Sequence, residues 1–145
     1  MRMYKSTISF TLIIVQISLL AVQFITGMII NLFAPMNIQP YSSYPFMMGY
    51  MMYIFSAIPL LSFHMMLGII IGMVSIAMLV ISAIKKDNKI LVLSFVEGLF
   101  VLMAGISGIN FVLSGLSNNW LSLIMSIGFI GSLISLFFIL QLNKI

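Results

Sequence analysis

Two ionisable side chains, His64 and Glu97, lie within long apolar stretches of this 145-residue chain, and they are the groups best placed to do chemistry. A neutral imidazole is a common axial ligand of haem iron, and a methionine thioether can be the second ligand. A carboxyl group at membrane depth is a typical component of a proton relay. The sequence therefore raises two chemical possibilities, haem binding through His64 and proton transfer through Glu97.

His64 has a structural interpretation as well as a chemical one. At the helical rise it lies about 30 Å from Lys85, near one membrane surface and at the predicted depth of Gln23, Asn110 and Met125. A hydrogen bond to Gln23 or Asn110 would make His64 a polar link between helices. Haem binding would instead pair His64 with Met125, although 14 methionines make one at this depth expected by chance. Both interpretations stay open.

Glu97 lies about 12 Å from the opposite surface by the same measure, so it cannot pair with His64 in a straight helical hairpin. Its structural interpretation is a hydrogen bond to Gln16 or Ser135, which are predicted at a similar depth. A relay requires several groups in series, and no second acid or base continues from Glu97 across the membrane. The structural role is therefore favoured.

The composition indicates that lipid, rather than water, surrounds most of the chain. It is 63% apolar and 6% charged, with a mean hydropathy of +1.29, whereas soluble domains carry roughly 25% charged residues. The net charge of +4 comes from basic residues at helix ends, where attraction to lipid head groups explains it without a nucleic-acid partner. The absence of cysteine excludes disulfides and thiolate metal sites.

Four apolar segments are long enough to cross a bilayer, which takes about 20 helical residues. They are approximately residues 7–33, 59–84, 90–115 and 120–142. Short polar turns follow the second and third segments, which makes consecutive helices antiparallel. The fold class is therefore an all-α membrane protein, an up-down bundle of four transmembrane helices that forms a single domain over residues 1–145.

The basic residues predict the orientation of the bundle. All six lie at the ends that share one side of the membrane: Arg2, Lys5, Lys85, Lys86, Lys89 and Lys144. The connections on the other side, at 34–48 and 116–119, contain no charged residue. Because short loops rich in Lys and Arg stay cytoplasmic, both termini of this multi-pass cell-membrane protein are predicted to be cytoplasmic. The first span is predicted to be a retained anchor, since its apolar run is too long for a signal peptide.

The long connection before the second span is rich in aromatic residues. Rings with polar tips favour the head-group level of a bilayer, so this stretch is predicted to lie at the outer surface. Residues 46–58 form either a short helix along the interface or one that dips in and joins the second span. Methionines recur there at helical spacing and could hold Cu(I), although such a stripe is more often the apolar face of an interfacial helix; they are Met47, Met48, Met51 and Met52.

Small residues mark possible helix contacts. Gly68 and Gly72 form a G-x-x-x-G pair on the same stripe as His64 and Ser75, and this motif allows another backbone to approach closely. Further small-residue faces occur at Gly98/Gly105 and Gly128/Ser132. Four helices can bury only some of these faces, so a remaining one could receive a helix of another subunit.

The run from Ser62 to Gly68, which follows the long outer connection, resembles the second helix of one four-helix half of haem A synthase. Small four-helix b-type cytochromes are similar in the same way. The resemblance implies a bundle that binds haem near the outer surface, with His64 as one axial ligand. The chain departs from the family pattern in two places, since the fourth span has no histidine and the outer connection has no glutamate. The same resemblance therefore agrees equally well with a relative of the family that kept the four-helix bundle and lost the activity.

These observations predict a non-catalytic integral membrane protein, an accessory or assembly subunit of a larger membrane complex, with a respiratory complex as one candidate. The alternative is a haem-bearing redox protein that uses His64, with a quinone or a haem-copper oxidase as its partner. A transporter or channel ranks third, because the interior polar groups form no continuous path. No hydrolytic triad, phosphate-binding loop or paired carboxylate supports the chemistry of a soluble enzyme.

Overall fold

Five α-helices account for most of the protein. The computed structural model describes residues 10–33 and 38–143, and no strand occurs within these ranges. The helices are α1 (Phe10–Phe33), α2 (Met47–Ala57), α3 (Pro59–Lys85), α4 (Asn88–Leu113) and α5 (Asn119–Leu142). All except α2 are apolar and long enough to span a membrane. The predicted four-helix membrane bundle with a short helix in its first long connection is confirmed.

Some sequence predictions concern residues outside the described ranges. These are the first three residues of the span predicted at 7–33, and the basic residues Arg2, Lys5 and Lys144. The apolar helices indicate a multi-pass protein in a lipid bilayer.

Helix α4 begins and ends two residues earlier than predicted, because a capping side chain fixes its N-terminus and a glycine follows its C-terminus. The helix begins early because the Asp87 side chain accepts a hydrogen bond from the Ile90 N–H at 3.2 Å, as an N-cap residue does. Just past its C-terminus, Gly115 has a φ of +71°, and a Cβ there would lie 2.6 Å from the Ile38 carbonyl oxygen. Glycine is the residue that tolerates both conditions.

The four long helices form an antiparallel ring in which each contacts the next, and α1 closes the ring against α5. The α4–α5 contact is the most extensive of the four, and the α1–α5 contact is the least. We call the end that carries the α3–α4 turn, with Lys85, Lys86 and Lys89, the lysine end. The opposite end, which carries α2 and the 3-10 turn Tyr41–Ser43, is the aromatic end.

Each end of the bundle has its own hydrophobic core. The lysine-end core draws on all four long helices and consists of Ile13, Leu20, Ile71, Met78, Ile90, Leu136 and Ile139. The aromatic-end core joins α2 to the ends of α1, α3 and α4, and consists of Ile30, Ile38, Tyr50, Ile54, Ile58, Leu61 and Val112. The lysine-end core combines residues near the N-termini of α1 and α4 with residues near the C-termini of α3 and α5. Neighbouring long helices are therefore antiparallel.

Helix α2 is a separate element that folds against the aromatic end. Its buried face carries Tyr50 and Ile54, and the Tyr50 hydroxyl donates to the Val112 carbonyl oxygen of α4. Pro59 begins α3 directly after the single residue Ile58, so the two helices do not merge. Proline suits this first helical position because its missing N–H would lack a partner there.

Close helix packing occurs between α4 and α5. A Cβ on Gly128 would lie 2.8 Å from both the Phe100 carbonyl oxygen and the Ala104 Cβ, so the small-residue face at Gly128 is used inside the bundle. By contrast, a Cβ on Gly72 would meet no described atom within 4 Å, and one on Gly68 would meet only the Gln23 amide nitrogen, 3.4 Å away. Gly68 therefore faces α1 and the interior of the bundle, and helix docking at Gly72 stays a prediction about a partner outside this chain.

Candidate functional site

Two glutamines of α1, Gln16 and Gln23, organise the polar interior of the bundle. They are seven residues apart and therefore share a face of the helix. Leu20, between them on this face, is buried. Amide groups in an apolar environment need hydrogen-bond partners. Each glutamine finds one on an ionisable side chain of another helix.

Glu97 of α4 is fully buried, with 0% of its surface exposed, and receives hydrogen bonds from two other helices. Gln16 Nε2 donates to Glu97 Oε1 at 3.0 Å, and the Ser75 hydroxyl donates to the same oxygen at 3.1 Å. Gln16 Nε2 also lies 2.8 Å from Ser75 Oγ and 3.2 Å from the Ile71 carbonyl oxygen. Gln16, Ser75 and Glu97, which we call the glutamate cluster, thus join α1, α3 and α4.

The glutamate cluster contains one titratable group. Among the described residues, neither Glu97 Oε2 nor Gln16 Oε1 has a hydrogen-bond partner, although both are buried. Further toward the lysine end, the Ser82 and Ser94 hydroxyls bond to each other at 3.2 Å. A proton relay from Glu97 would therefore have no second acid or base within this part of the described chain. The arrangement is that of a joint between helices.

His64 of α3 is bonded to α1 through both of its ring nitrogens. Gln23 Nε2 lies 3.0 Å from His64 Nε2, and Thr26 Oγ1 lies 2.8 Å from His64 Nδ1. An amide nitrogen can only donate, so His64 Nε2 accepts, and the proton on Nδ1 is donated to Thr26. The Thr26 hydroxyl in turn donates to a carbonyl oxygen of its own helix at 3.0 Å. We call Gln23, Thr26 and His64 the histidine cluster.

A cavity of about 460 Å³ lies beside the histidine cluster, between α1, α3, α4 and α5. Gln23 and His64 form part of its wall, and most of the remaining lining is apolar. Among the described residues, none that lines the cavity is Asp, Glu, Lys or Arg. The side chains of the glutamate cluster do not reach it. The two polar clusters therefore differ in their access to empty space.

The other predicted site residues are placed as follows. Met125 lines the cavity, and its sulfur would lie 3.3 Å from a Cβ on Gly108. Asn110 is not a partner of His64, because it faces outward and donates to the Ile106 carbonyl oxygen of its own helix at 2.8 Å. Ser135, considered as a partner of Glu97, likewise donates to its own helix at Gly131.

Sequence reasoning missed two partners that the structure supplies. Thr26 was not considered as a hydrogen-bond acceptor for His64, and Ser75 was placed on the His64 stripe without a link to Glu97. Both hydroxyls also bond to carbonyl oxygens of their own helices, which is the common arrangement for such residues in apolar helices. Thr26 lies one helical turn after Gln23, the other partner of His64, and this spacing is a signal that the sequence contains. Ser75 has no such signal, because its partners Gln16 and Glu97 lie on two other helices.

The haem group implied by the resemblance does not fit the histidine cluster as it stands. Iron binds imidazole through a nitrogen lone pair, and His64 Nε2 already accepts from Gln23 while Nδ1 carries a proton. Ligation would require the Gln23 bond or the Thr26 bond to break. In addition, α5 contains no histidine opposite the cavity.

The methionines of α2 divide between its two faces. Met51 packs against the aromatic-end core, whereas Met48 and Met52 are exposed by 74% and 69%. Within the described ranges, no group of three His, Cys, Asp or Glu side chains comes close enough to hold a metal ion. Copper binding by the thioethers stays a prediction.

Comparison with known proteins gives no family for this chain. Neither a family model, nor a curated protein, nor a solved structure matches it. The resemblance to haem A synthase therefore has only the sequence features around His64 in its support.

Proposed function

We propose that this protein is a non-catalytic accessory or assembly subunit of a larger membrane complex. The observation that carries the proposal is that both ionisable residues within the spans take part in hydrogen bonds between helices. Glu97 accepts from two helices and His64 is occupied at both nitrogens. Side chains used in this way stabilise a bundle.

Faces that the bundle does not use offer room for a partner. A Cβ on Gly72 of α3 would meet nothing within 4 Å among the described residues, and the neighbouring Met73 and Ile76 are exposed by 57% and 63%. A helix of another subunit could approach closely at such a face. A respiratory complex is the first candidate, because the haem A synthase resemblance points there.

Purification from native membranes in a mild detergent tests the subunit role. We expect a fixed set of membrane proteins at constant ratio to the chain, and we expect Gly72→Leu to lower their recovery while the melting temperature of the isolated chain stays unchanged. Val92→Leu is the control, because Val92 is an exposed position of α4 that belongs to none of the small-residue faces. A chain that purifies alone from native membranes would contradict the proposal.

Haem binding is the competing proposal, and one observation favours it. His64 and Met125 line the same cavity, so the two predicted ligands face a common space. An absorption spectrum of the reduced protein separates the two proposals. Sharp haem bands that disappear in His64→Ala would establish haem binding, whereas a colourless preparation with fixed partners agrees with the subunit role.

We propose that the lysine end faces the cytoplasm of a cell-membrane protein, with both termini on that side. The Lys85, Lys86 and Lys89 positions support it, because positively charged short loops stay inside. The chain has no cysteine, so single-cysteine variants are clean probes. In intact cells an impermeant maleimide should label Ser42→Cys at the aromatic end and leave Asn88→Cys unlabelled, and the reverse pattern would invert the orientation.

A further inference from the structure

The cavity beside the histidine cluster has the size of a small-molecule site. Its volume of about 460 Å³ lies within the range of roughly 300–1,000 Å³ for ligand pockets. It is walled by aliphatic and aromatic side chains that include Val101, Ala104 and Phe129. Such a lining favours an apolar chain or ring system.

The charge of the lining restricts the head group of a ligand. Phosphate and carboxylate groups are held in proteins by Arg or Lys side chains, and cationic groups by carboxylates. None of these residues lines the cavity within the described ranges. A head group that stays in this space must therefore be uncharged.

One buried acceptor in the wall lacks a donor. Gln23 lines the cavity, and its Oε1 has no hydrogen-bond partner among the described residues, while its Nε2 is used by His64. Buried amide oxygens are nearly always satisfied. A hydroxyl that comes within about 3 Å would satisfy this one.

The seam between α1 and α5 offers a route from the lipid. It is the least extensive contact in the ring of helices. Phe24 of α1 and Phe129 of α5 stack across it, with ring centroids 4.6 Å apart, and both line the cavity. Phe24 is also 40% exposed, so this aromatic pair lies at the boundary of the cavity.

We propose that this cavity binds one neutral membrane lipid with a hydroxyl head group and an apolar chain, admitted between α1 and α5 past the Phe24–Phe129 pair. Gln23 Oε1 is buried among the atoms of the protein itself, so the side-chain amide turns toward the cavity to accept from the hydroxyl, and the chain occupies the space beside Ala104 and Phe129. The proposal concerns a ligand and does not rest on the subunit role, which neither requires nor excludes a bound lipid.

Photolabelling tests the proposal with the full chain in phosphatidylcholine vesicles. The probe is hexadecanol that carries a diazirine in its chain, and peptides are mapped by mass spectrometry. We expect adducts on the cavity residues Met125 and Phe129 that excess hexadecanol removes and excess hexadecyl sulfate does not. Phe137 and Phe138, exposed on the same helix, report nonspecific contact with lipid.

Two variants show whether the cavity itself holds the probe. Gly105 lines the cavity and has open space around it, so Gly105→Leu adds bulk at its wall, whereas Gly98→Leu, two turns away on α4 and outside the lining, is the matched control. We expect Gly105→Leu to reduce the competed labelling about tenfold and Gly98→Leu to leave it unchanged. Gln23→Leu should lower labelling by the alcohol probe roughly fivefold without changing labelling by the corresponding diazirine alkane.

Several outcomes would overturn the proposal. These are equal labelling of Phe129 and Phe137, equal competition by the alcohol and the sulfate, and labelling that Gly105→Leu leaves intact. If Gly105→Leu fails to fold, the labelling of Gln23→Leu by the alcohol probe and by the alkane probe decides. A ratio of the two that equals the ratio in the natural chain contradicts the hydrogen bond to Gln23. Haem bands in the purified protein would assign the cavity to another ligand.

Discussion

The glutamate cluster and the histidine cluster both provide hydrogen bonds to an ionisable side chain inside the apolar bundle, but their surroundings differ. In each, a glutamine of α1 donates to an ionisable residue of another helix. Glu97 is fully buried, and its cluster joins three helices. The hydrogen bonds of His64 join only two helices, α1 and α3, and a cavity lies beside its imidazole.

From this difference we expect the contacts around Glu97 to hold the bundle together and the space beside His64 to receive a ligand. A buried carboxyl with an unmatched oxygen is costly in an apolar medium, so tight packing and several donors must surround it. An imidazole with both nitrogens paired needs no such enclosure, and it can border empty space. We therefore expect mutations around Glu97 to affect stability, and mutations around His64 to affect binding.

The largest expected effect is that of Gln16→Leu. This change removes the amide that lies between Glu97, Ser75 and the Ile71 carbonyl oxygen, and it leaves buried acceptors unmatched. We expect the free energy of unfolding, measured by titration with SDS in mixed micelles, to fall by about 2–3 kcal/mol. A loss below about 0.5 kcal/mol would show that the glutamate cluster does not hold the helices.

A double-mutant cycle sharpens this prediction. Glu97→Gln should cost less in the Gln16→Leu background than in the natural chain, because the two side chains act on the same bond. Ile14→Leu, at an exposed position of α1, is the control for a change on the same helix and should be close to neutral. Additive effects of the two cluster mutations would contradict a shared joint.

The matching change at the other cluster, Gln23→Leu, should be milder. It removes one bond to His64 but leaves the Thr26 bond in place, and the freed nitrogen borders a cavity that can admit a polar partner. We expect a loss of about 1 kcal/mol in the same SDS titration. A loss equal to that of Gln16→Leu would remove the distinction between the two halves.

Depth along the helices was enough to predict part of both clusters. Depth left two candidate partners for each group, Gln16 or Ser135 for Glu97 and Gln23 or Asn110 for His64. The structure contains the bonds of Gln16 to Glu97 and of Gln23 to His64. Depth fails for Asn110, which shares the level of His64 but faces away from it. The direction of a side chain around its helix depends on how the helices rotate against one another, and apolar sequence on all sides leaves that rotation undetermined.

The cavity could not be predicted for a related reason. Its position depends on which helices pack most closely: α4 and α5 do so at Gly128, whereas the contact of α1 with α5 is the least extensive in the ring of helices. The sequence offers small residues on several faces and does not rank them. Four helix spans, in contrast, follow directly from apolar runs of about 20 residues.

Tyr50→Phe probes the aromatic end beyond the cavity. Loss of the hydroxyl removes the bond to the Val112 carbonyl oxygen, which still accepts from the Gly115 N–H at 3.0 Å. We therefore expect α2 to open more readily by about 0.5–1 kcal/mol, measured by hydrogen exchange of its amides. Exchange in the lysine-end core should not change.

The Tyr50 bond also has a predicted pH dependence. Burial raises the pKa of Tyr50 above the ordinary value, so the folded state favours the protonated phenol. Its contribution to stability is fully present below about pH 10 and is lost as the pH rises through the raised pKa. The difference between the natural chain and Tyr50→Phe should thus stay constant up to about pH 10 and shrink above it. A difference that already declines near neutral pH would contradict this assignment.

Gly27→Ala should have the smallest effect, and the reason is the cavity. A Cβ on Gly27 would lie 3.0 Å from His64 Cε1, so the imidazole must move by a few tenths of an ångström. The adjoining space allows this shift, and alanine gains about 1 kcal/mol over glycine in helix propensity, so we expect a net change near zero in the SDS titration. Gly128→Ala is the control in a packed seam, where the Phe100 backbone cannot yield and a loss of about 1–3 kcal/mol is expected. Equal losses of unfolding free energy at the two glycines would mean that the bundle is packed as tightly beside the histidine cluster as at Gly128. The cavity would then have no room for the proposed lipid.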